Sequence, residues 1–272
     1  MFILFGMKSA YFYAHESGNP YFNMAFDEWL LSRAVKEPGT VFLRLYRWQL
    51  GAITFGFNQH RETAIDFSRL DGTPVIRRIT GGRAIYHDPS EYTYALALNS
   101  DGLENTCLNG SLSATSRAIA GALVHFLCSL GIVTDYVRKS SRENARPDFF
   151  HKAPCFASRA RYELVSENNK IVASAQKRFG TSLLQHGSIK LFGVITHPAL
   201  DNSITHPPSN HELLAGKEFK EISHIFLKVM SNFFNLDITP VKNYPEEELR
   251  VLRQMENFIK KNALSKRHVL NK

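Results

Sequence analysis

Two residues in the second half of the chain have side chains suited to covalent acyl transfer. Cys155 follows Pro154 and precedes Phe156, and Lys170 lies fifteen residues further along. The attacking species in thioester exchange is the thiolate, and a nearby ammonium lowers the pKa of a thiol from about 8.5. The pair therefore indicates a thiol nucleophile with a charged helper, provided that the two side chains meet in the fold.

The other two cysteines have local sequences that favour structural roles. Cys128 falls at helical spacing with Val124 and Ile132 in an apolar run, as a small buried hydrophobic residue does. Cys107 lies in a polar stretch without a basic neighbour. Three cysteines without a C-x-x-C pair argue against a disulfide framework and a metal site, and they favour a reducing, cytoplasmic location. Local sequence alone leaves Cys155 balanced between a structural and a catalytic role.

A glycine-rich segment upstream, residues 77–88, is suited to binding a carbonyl or a phosphate group. Gly81 and Gly82 follow a predicted strand, where they let the backbone approach a ligand closely and offer successive amides. The segment lacks the Gly-Lys-Ser/Thr of a P-loop and the G-x-G-x-x-G of a dinucleotide-binding fold. An ordinary tight hairpin is therefore the alternative interpretation.

The elements that position these residues follow from the apolar periodicity. Asn19 and Pro20 form a typical helix start, and the apolar stripe after them predicts a helix over residues 20–34. Further helices are predicted over residues 112–130, 213–233 and 246–261. Strands are predicted over residues 41–46, 52–57, 74–78, 91–98, 160–165, 170–177 and 183–191. Lys170 then begins the middle strand of a meander, and a loop over residues 138–154 leads to Cys155.

Composition limits the class of protein and its partners. The 272 residues are 44% hydrophobic and 21% charged, which is typical of a soluble globular protein. The net charge of +8 favours acidic partners, whereas the sequence has no zinc-finger or RNA-binding signature that would indicate nucleic acid. Its first residues are not expected to act as a secretion leader, and no run approaches the roughly 18 apolar residues of a membrane span. We expect neither a nucleic-acid nor a membrane partner.

Three strings are more distinctive than the glycine pair alone. RRITGGRAIYHD (77–88), NKIVASAQKR (169–178) and LQHGSI (184–189) resemble the lipoate/octanoate protein ligase and transferase family, as does the early helix around residues 23–28. Together they cover most of residues 10–200 in the family's order. The resemblance is closest to the cysteine-dependent octanoyltransferases of the LipM type, whose nucleophile lies in a Cys-Phe pair ahead of the lysine strand. Cys155 and Lys170 match those positions. LipB-type transferases place their cysteine later, where this sequence has none.

The resemblance implies a fold and a reaction. The fold is α+β, with mixed, largely antiparallel sheets packed with helices, in a biotin/lipoate protein ligase-like catalytic domain that we place at residues 1–240. Residues 241–272 then form a C-terminal helix and a basic tail. In the implied reaction an octanoyl group passes from octanoyl-acyl carrier protein through a Cys155 thioester to a lysine of a lipoyl domain or of glycine-cleavage H protein, without ATP or another cofactor.

The implied site residues extend beyond the nucleophile. Lys170 favours the Cys155 thiolate and contacts the acyl carbonyl oxygen. The expected acyl-binding residues are Arg78, Thr80, Gly81, Gly82, Tyr86, His87 and Ala173. Phe55 and Ala84 are further candidates for the wall of the acyl tunnel, although both, like Tyr86 and Ala173, are equally plausible as ordinary core.

Several alternatives stay open at this point. His87, beside Asp88, is either a general base or, more typically, a structural hydrogen-bonding residue, and His186 is similar. An ATP-dependent lipoate ligase shares the glycine loop and the lysine. An amidotransferase that moves octanoyl groups between lipoyl domains uses the same residue types. A non-catalytic module that binds acylated carriers is the remaining option.

Overall fold

The fold is built from one large mixed sheet, one small sheet and helices on both faces of the large sheet. The computed structural model describes residues 9–103, 106–136, 164–166, 169–192, 196–200, 214 and 216–264. The helices are α1 (Pro20–Lys36), α2 (Arg61–Ala64), α3 (Leu112–Ser129), α4 (Phe219–Phe234) and α5 (Glu246–Leu264). The expected α+β class is confirmed. Within those ranges no helix has the length and apolar character needed to cross a bilayer.

The large sheet has the strand order β11-β1-β2-β6-β10-β9-β8-β7, and the small sheet has the order β4-β3-β5. The strands are β1 (Ala10–Gly18), β2 (Val41–Trp48), β3 (Ala52–Phe55), β4 (Val75–Arg77), β5 (Ile85–His87), β6 (Tyr92–Asn99), β7 (Asp135–Tyr136), β8 (Leu164–Ser166), β9 (Asn169–Phe179), β10 (Ser182–Ile189) and β11 (Ile238–Pro240). Strand β1 is parallel to β2 and β11, and β3 is parallel to β4. All the other pairs are antiparallel, as expected.

Local sequence determines where helices α1 and α3 begin. The Asn19 side chain accepts a hydrogen bond from the Phe22 amide at 2.9 Å, and Pro20 occupies the first helical position. Ser111 caps α3 in the same way, because its hydroxyl accepts from the Ala114 amide at 3.2 Å. These caps satisfy amides that have no partner inside the helix. The predicted start of α1 at Pro20 is confirmed.

Three apolar clusters place the large sheet between two pairs of helices. Helices α3 and α4 pack on one face, where Phe126 and Phe226 meet edge to face at 5.2 Å. Helices α1 and α5 pack on the other face, through residues such as Trp29 and Leu252. The third cluster covers one side of the small sheet. The opposite side of the small sheet therefore faces the large sheet, on the same side of that sheet as α1.

Strands form at both of the expected positions, 41–46 and 52–57, and β2 joins the large sheet while β3 joins the small one. Two other expectations differ from the structure. The helix expected from residue 213 begins at Phe219, since Gly216 has a φ of +78°, which is not helical. Cys128 is exposed instead of buried, because α3 buries Phe126 and Leu127 and turns the next residue towards solvent. Cys107 is also exposed.

Candidate active site

A pocket lies between the large sheet and the small sheet. Strand register sets Tyr46, Thr93, Ser188 and Ala173 side by side across β2, β6, β10 and β9. These four side chains form one wall, together with the next row of the same face, His186 and Ala175. The facing wall comes from the small sheet and the glycine loop, through Thr54, Ile85, His87, Arg78 and Gly82, and Met24 of α1 completes the lining.

The glycine loop, residues 78–84, is not a hairpin turn. Strands β4 and β5 both pair with β3, on opposite edges, so the loop crosses over the end of β3. Gly56 follows β3, and a Cβ atom there would lie 2.0 Å from the carbonyl oxygen of Gly82. Gly82 has a φ of +93°, which favours glycine. Glycine is therefore required on both sides of this close approach.

Arg78 holds the glycine loop in place. Its guanidinium donates to the carbonyl oxygen of Gly81 at 2.7 Å and to that of Arg83 at 2.8 Å, and its side chain lines the pocket. Hydrogen bonds between a charged donor and the backbone are stronger than neutral ones. Arg78, one of the expected binding residues, thus lines the pocket while its guanidinium donates to the backbone of its own loop.

A first buried network joins the glycine loop to α1. The Thr80 hydroxyl and His186 Nε2 lie 2.6 Å apart, and His186 Nδ1 lies 2.8 Å from Asp27 Oδ2. Arg44 Nη1 and the Tyr46 hydroxyl donate to the same carboxylate, each at 2.8 Å. Burial alone would raise the pKa of Asp27, but the hydrogen bond from His186 and the charge of Arg44 lower it. The ionised carboxylate thus orients His186 towards Thr80.

The same network continues towards the C-terminal helix. Arg44 Nε donates to Nδ1 of His15 at 3.1 Å, which leaves Nε2 of His15 to bond the Tyr244 hydroxyl at 2.8 Å. Burial first and the Arg44 charge second lower the pKa of His15 to about 2. The ring is therefore neutral, and Tyr244, which precedes α5, is connected to the pocket through an unbroken chain of hydrogen bonds.

A second buried network supports the small-sheet wall of the pocket. Arg78 Nη1 donates to the Thr54 hydroxyl at 3.2 Å, and Thr54 bonds His87 Nε2 at 2.8 Å. His87 Nδ1 donates to Glu91 at 2.7 Å, and Lys190 pairs with Glu91 and, at 2.7 Å, with Asp88. Both ring nitrogens of His87 are occupied by protein groups, and its ring stacks on Trp48 at 4.1 Å. This arrangement favours the structural interpretation of His87 over a general base.

Glu91 makes the fold sensitive to acid. Burial would raise its pKa, but Lys190 and then His87 lower it from 4.5 to about 2. The unfolded chain takes up this proton near pH 4.5 and the folded chain only near pH 2, so the stabilisation is complete above pH 4.5 and is lost as the pH falls to 2. The difference between the two pKa values corresponds to about 3 kcal/mol of unfolding free energy. Urea unfolding at pH 7 and pH 3 should show more than half of this loss, about 2 kcal/mol, and Glu91→Gln should reduce the difference. Equal pH slopes in the two proteins would contradict the assignment.

The structure brings most of the expected binding residues together. Arg78, Gly82, His87 and Ala173 line the pocket, and Thr80 and Gly81 lie in the adjoining loop. Tyr86 does not line it. Side chains alternate along β5, so Ile85 and His87 face the pocket while Tyr86 packs in the third apolar cluster on the far side.

The other two wall candidates lie in that third cluster as well. Phe55 and Ala84 pack there with Ile53, and Thr54, between Ile53 and Phe55, faces the pocket instead. In place of Phe55, Ala84 and Tyr86, the small-sheet wall thus contains their sequence neighbours Thr54 and Ile85.

Of the two proposed catalytic residues, Lys170 lies among the described residues and Cys155 does not. Lys170 is the second residue of β9, which begins at Asn169, one residue earlier than predicted, with β8 and β10 on either side, and it is 6% exposed. It lies three residues before Ala173, but it is not one of the described residues that line the pocket. Cys155 lies outside the described residues, as does the preceding loop expected at 138–154.

Ser188 is one of the pocket residues that the sequence motifs did not single out. Ser188 is 2% exposed, and its hydroxyl has no hydrogen-bond partner among the described residues. It lies between Thr93 and Ala173 in the register of the sheet, so this buried hydroxyl is available to a polar atom of a bound ligand. The alternation of LQHGSI as a strand places Ser188 on the same face as His186, which is the signal that would have identified it.

Comparisons with known proteins agree with this geometry. Residues 19–197 match the lipoyl protein ligase A/B catalytic domain. Octanoyltransferase LipM of Clostridioides difficile is 37% identical over 174 residues, which are 62% of this chain and 60% of that protein. Octanoyltransferase LipM of Carboxydothermus hydrogenoformans is 31% identical over 255 residues, which are 86% of this chain and 91% of that protein.

Solved structures show the same fold at low sequence identity. A lipoate-protein ligase A bound with ATP has a TM-score of 0.66 and 18% identity, covering 92% of this chain and 94% of that one. A bi-partite lipoate protein ligase from Thermoplasma acidophilum has a TM-score of 0.65 and 16% identity, covering 97% of this chain and 100% of that one. Since the family match extends over more than half of the sequence, the chain belongs to the lipoyl protein ligase A/B catalytic domain family.

Proposed function

We propose that this protein is an octanoyltransferase of protein lipoylation. It moves an octanoyl group from octanoyl-acyl carrier protein, through a thioester on Cys155, to a lysine of a lipoyl domain or of glycine-cleavage H protein. The observation that carries the proposal is the 31% identity with a LipM octanoyltransferase over 255 residues, because that match extends over most of both chains. Such a carrier-fed reaction belongs in the cytoplasm.

The pocket supports an acyl ligand. Ala173 and Ala175 leave space along β9, and Ile85 and Met24 add apolar surface. The six methylene groups of an octanoyl chain contribute roughly 5 kcal/mol on burial, at about 0.8 kcal/mol each. Burial of the tail thus holds the acyl group, and the polar groups around the glycine loop orient its carbonyl end.

Two exchanges at the acyl carbonyl complete the reaction. The Cys155 thiolate attacks the carrier thioester, a new carbon–sulfur bond forms, and the carrier leaves as its thiolate and takes up a proton. The amine of the acceptor lysine then attacks the acyl-enzyme, an amide forms, the Cys155 thiolate leaves and the amine releases its proton to solvent. Because the thioester keeps the acyl group activated, the sequence of steps needs no ATP. Lys170 stabilises the Cys155 thiolate and the negative charge that develops on the carbonyl oxygen.

The direct test uses purified components without ATP. Octanoyl-acyl carrier protein and an unmodified lipoyl domain are incubated with the protein, and the intact mass of the lipoyl domain is measured. We expect one octanoyl group to be added. Transfer only when free octanoate and Mg-ATP are supplied would identify a ligase. Transfer only from an octanoylated lipoyl domain would identify an amidotransferase, and no modification under any of these conditions would contradict an acyl-transfer role.

A further inference from the structure

An exposed aromatic ring, that of Phe57, lies beside the opening of the pocket. It is 51% exposed, and its amide donates to the carbonyl oxygen of Thr80 at 2.9 Å. The preceding Gly56 lies against Gly82, which is itself exposed and lines the pocket. The backbone of Phe57 is therefore joined to the glycine loop at the edge of the opening.

Arg77 fixes the segment that presents this ring. Its Nη1 donates to the carbonyl oxygens of Phe57 and, at 3.1 Å, Gln59, and it lies 3.5 Å from the Gly56 carbonyl oxygen. Folding gains nothing from an apolar ring held in water, and such exposed groups mark interaction sites when they cluster. A ring that is already fixed also loses little conformational entropy when a partner covers it.

Lys177 brings positive charge to the same place. Its ammonium lies 4.9 Å from the centre of the Phe57 ring and has no carboxylate partner among the described residues. Ala173, Ala175 and Lys177 share one face of β9, so Lys177 lies about 7 Å beyond the pocket wall. Phe179 follows on the same strand and is 65% exposed. Phe57, Arg77, Lys177 and Phe179 are hereafter the rim patch.

We propose that the rim patch is the docking surface for the acceptor, a lipoyl domain that presents acidic side chains around its target lysine. The inference rests on the proposed octanoyl transfer and names the place where the second substrate binds. Around the patch, Arg61 and Glu62 carry opposite charges near Arg77 and offset each other, which leaves Arg77 and Lys177 as a net positive pair. The net charge of +8 adds a long-range attraction for an acidic domain.

The length of the arm that carries the reacting group indicates whether the acceptor or the donor docks on the rim patch. A lysine carries its amine on a stem of only four carbons, so the backbone of the acceptor must come right up to the opening of the pocket. The acyl carrier delivers its thioester on a long flexible arm and is able to dock further away. The rim patch begins at Lys177, two residues beyond Ala175 on β9, so it is close enough to the pocket for the acceptor.

Direct binding tests the surface independently of catalysis. Fluorescence anisotropy of a labelled, unmodified E2 lipoyl domain is measured against the wild-type protein and the Phe57→Ala and Lys177→Glu variants. We expect each variant to raise the Kd about tenfold, since hot-spot side chains dominate such interfaces. The matched controls, Phe258→Ala on α5 and Lys228→Glu on α4, make the same substitutions at exposed residues on other helices and should leave the Kd within twofold.

Kinetics then separate the two half-reactions. Acylation by octanoyl-acyl carrier protein should keep its rate in both rim variants, while the KM for the lipoyl domain rises about tenfold at an unchanged kcat. Slower acylation with an unchanged acceptor KM would assign the patch to the carrier and overturn the proposal, as would an unchanged Kd for the lipoyl domain. If the wild-type protein binds the lipoyl domain at the patch but transfers no octanoyl group, the docking inference stands and the proposed function fails.

Discussion

Replacing Cys155 with alanine is expected to abolish octanoyl transfer, lowering kcat at least about 10³-fold. In the proposed mechanism this sulfur carries the acyl group between the two exchanges, and no other side chain takes over a covalent step. Wild-type protein incubated with octanoyl-acyl carrier protein should gain the mass of one octanoyl group, and the variant should gain none. Peptide mapping should place the adduct on Cys155.

The two other cysteines supply matched controls for this experiment. Cys107 and Cys128 are both exposed, so they are accessible to thioesters without belonging to the pocket. Cys107→Ala and Cys128→Ala should retain the adduct and the transfer rate. Although Cys107 is exposed, partial desolvation by its neighbours raises the pKa of its thiol, which makes it a poor nucleophile at neutral pH. An adduct on either of these residues, or full activity of Cys155→Ala, would reject the covalent mechanism.

Those parts of the fold that depend on local signals were predictable. Asn19 and Pro20 specify the start of α1, and the Gly180 turn before residues 183–191 marks the start of β10, because caps and turns act over a few residues. The assignment of β2 and β3 to different sheets was not predictable, since it depends on which distant strand each one meets. Residue 216 shows the same limit, because the helical pattern expected from residue 213 includes a glycine whose positive φ keeps α4 from beginning before Phe219.

The pocket shows which site residues the sequence motifs were able to identify. They identified the glycine loop, His87 and Ala173, but not the partners that hold them, because Thr54, Glu91 and Lys190 come from three separate segments. A buried ion pair such as that of Asp27 and Arg44 has no local signature either. Tyr86 was misplaced because alternation gives two faces, and sequence alone did not decide which face of β5 meets the large sheet.

Lys170 is the residue whose replacement should have the second largest effect. It is 6% exposed, so the alternative of a solvated lysine beside a turn does not hold. Burying a lysine costs free energy unless its charge is used, and such lysines are often functional. Lys170→Met keeps the length of the aliphatic stem and removes the charge. If the ammonium stabilises both the Cys155 thiolate and the developing oxyanion, acylation should slow by about 10²–10³-fold.

The pH dependence of Cys155 alkylation distinguishes this role from a purely structural one. A positive charge nearby lowers the thiol pKa, so its removal should move the iodoacetamide reactivity curve of Cys155 upwards, towards about 8.5. Lys170→Arg retains the charge and should leave that curve close to the wild-type curve, even if its larger head group slows transfer. Circular dichroism and urea unfolding of both variants show whether the fold is intact. Coincident alkylation curves for the wild type and a folded Lys170→Met, with equal transfer rates, would exclude Lys170 from the mechanism, and Cys155 would then require a different cation to lower its pKa.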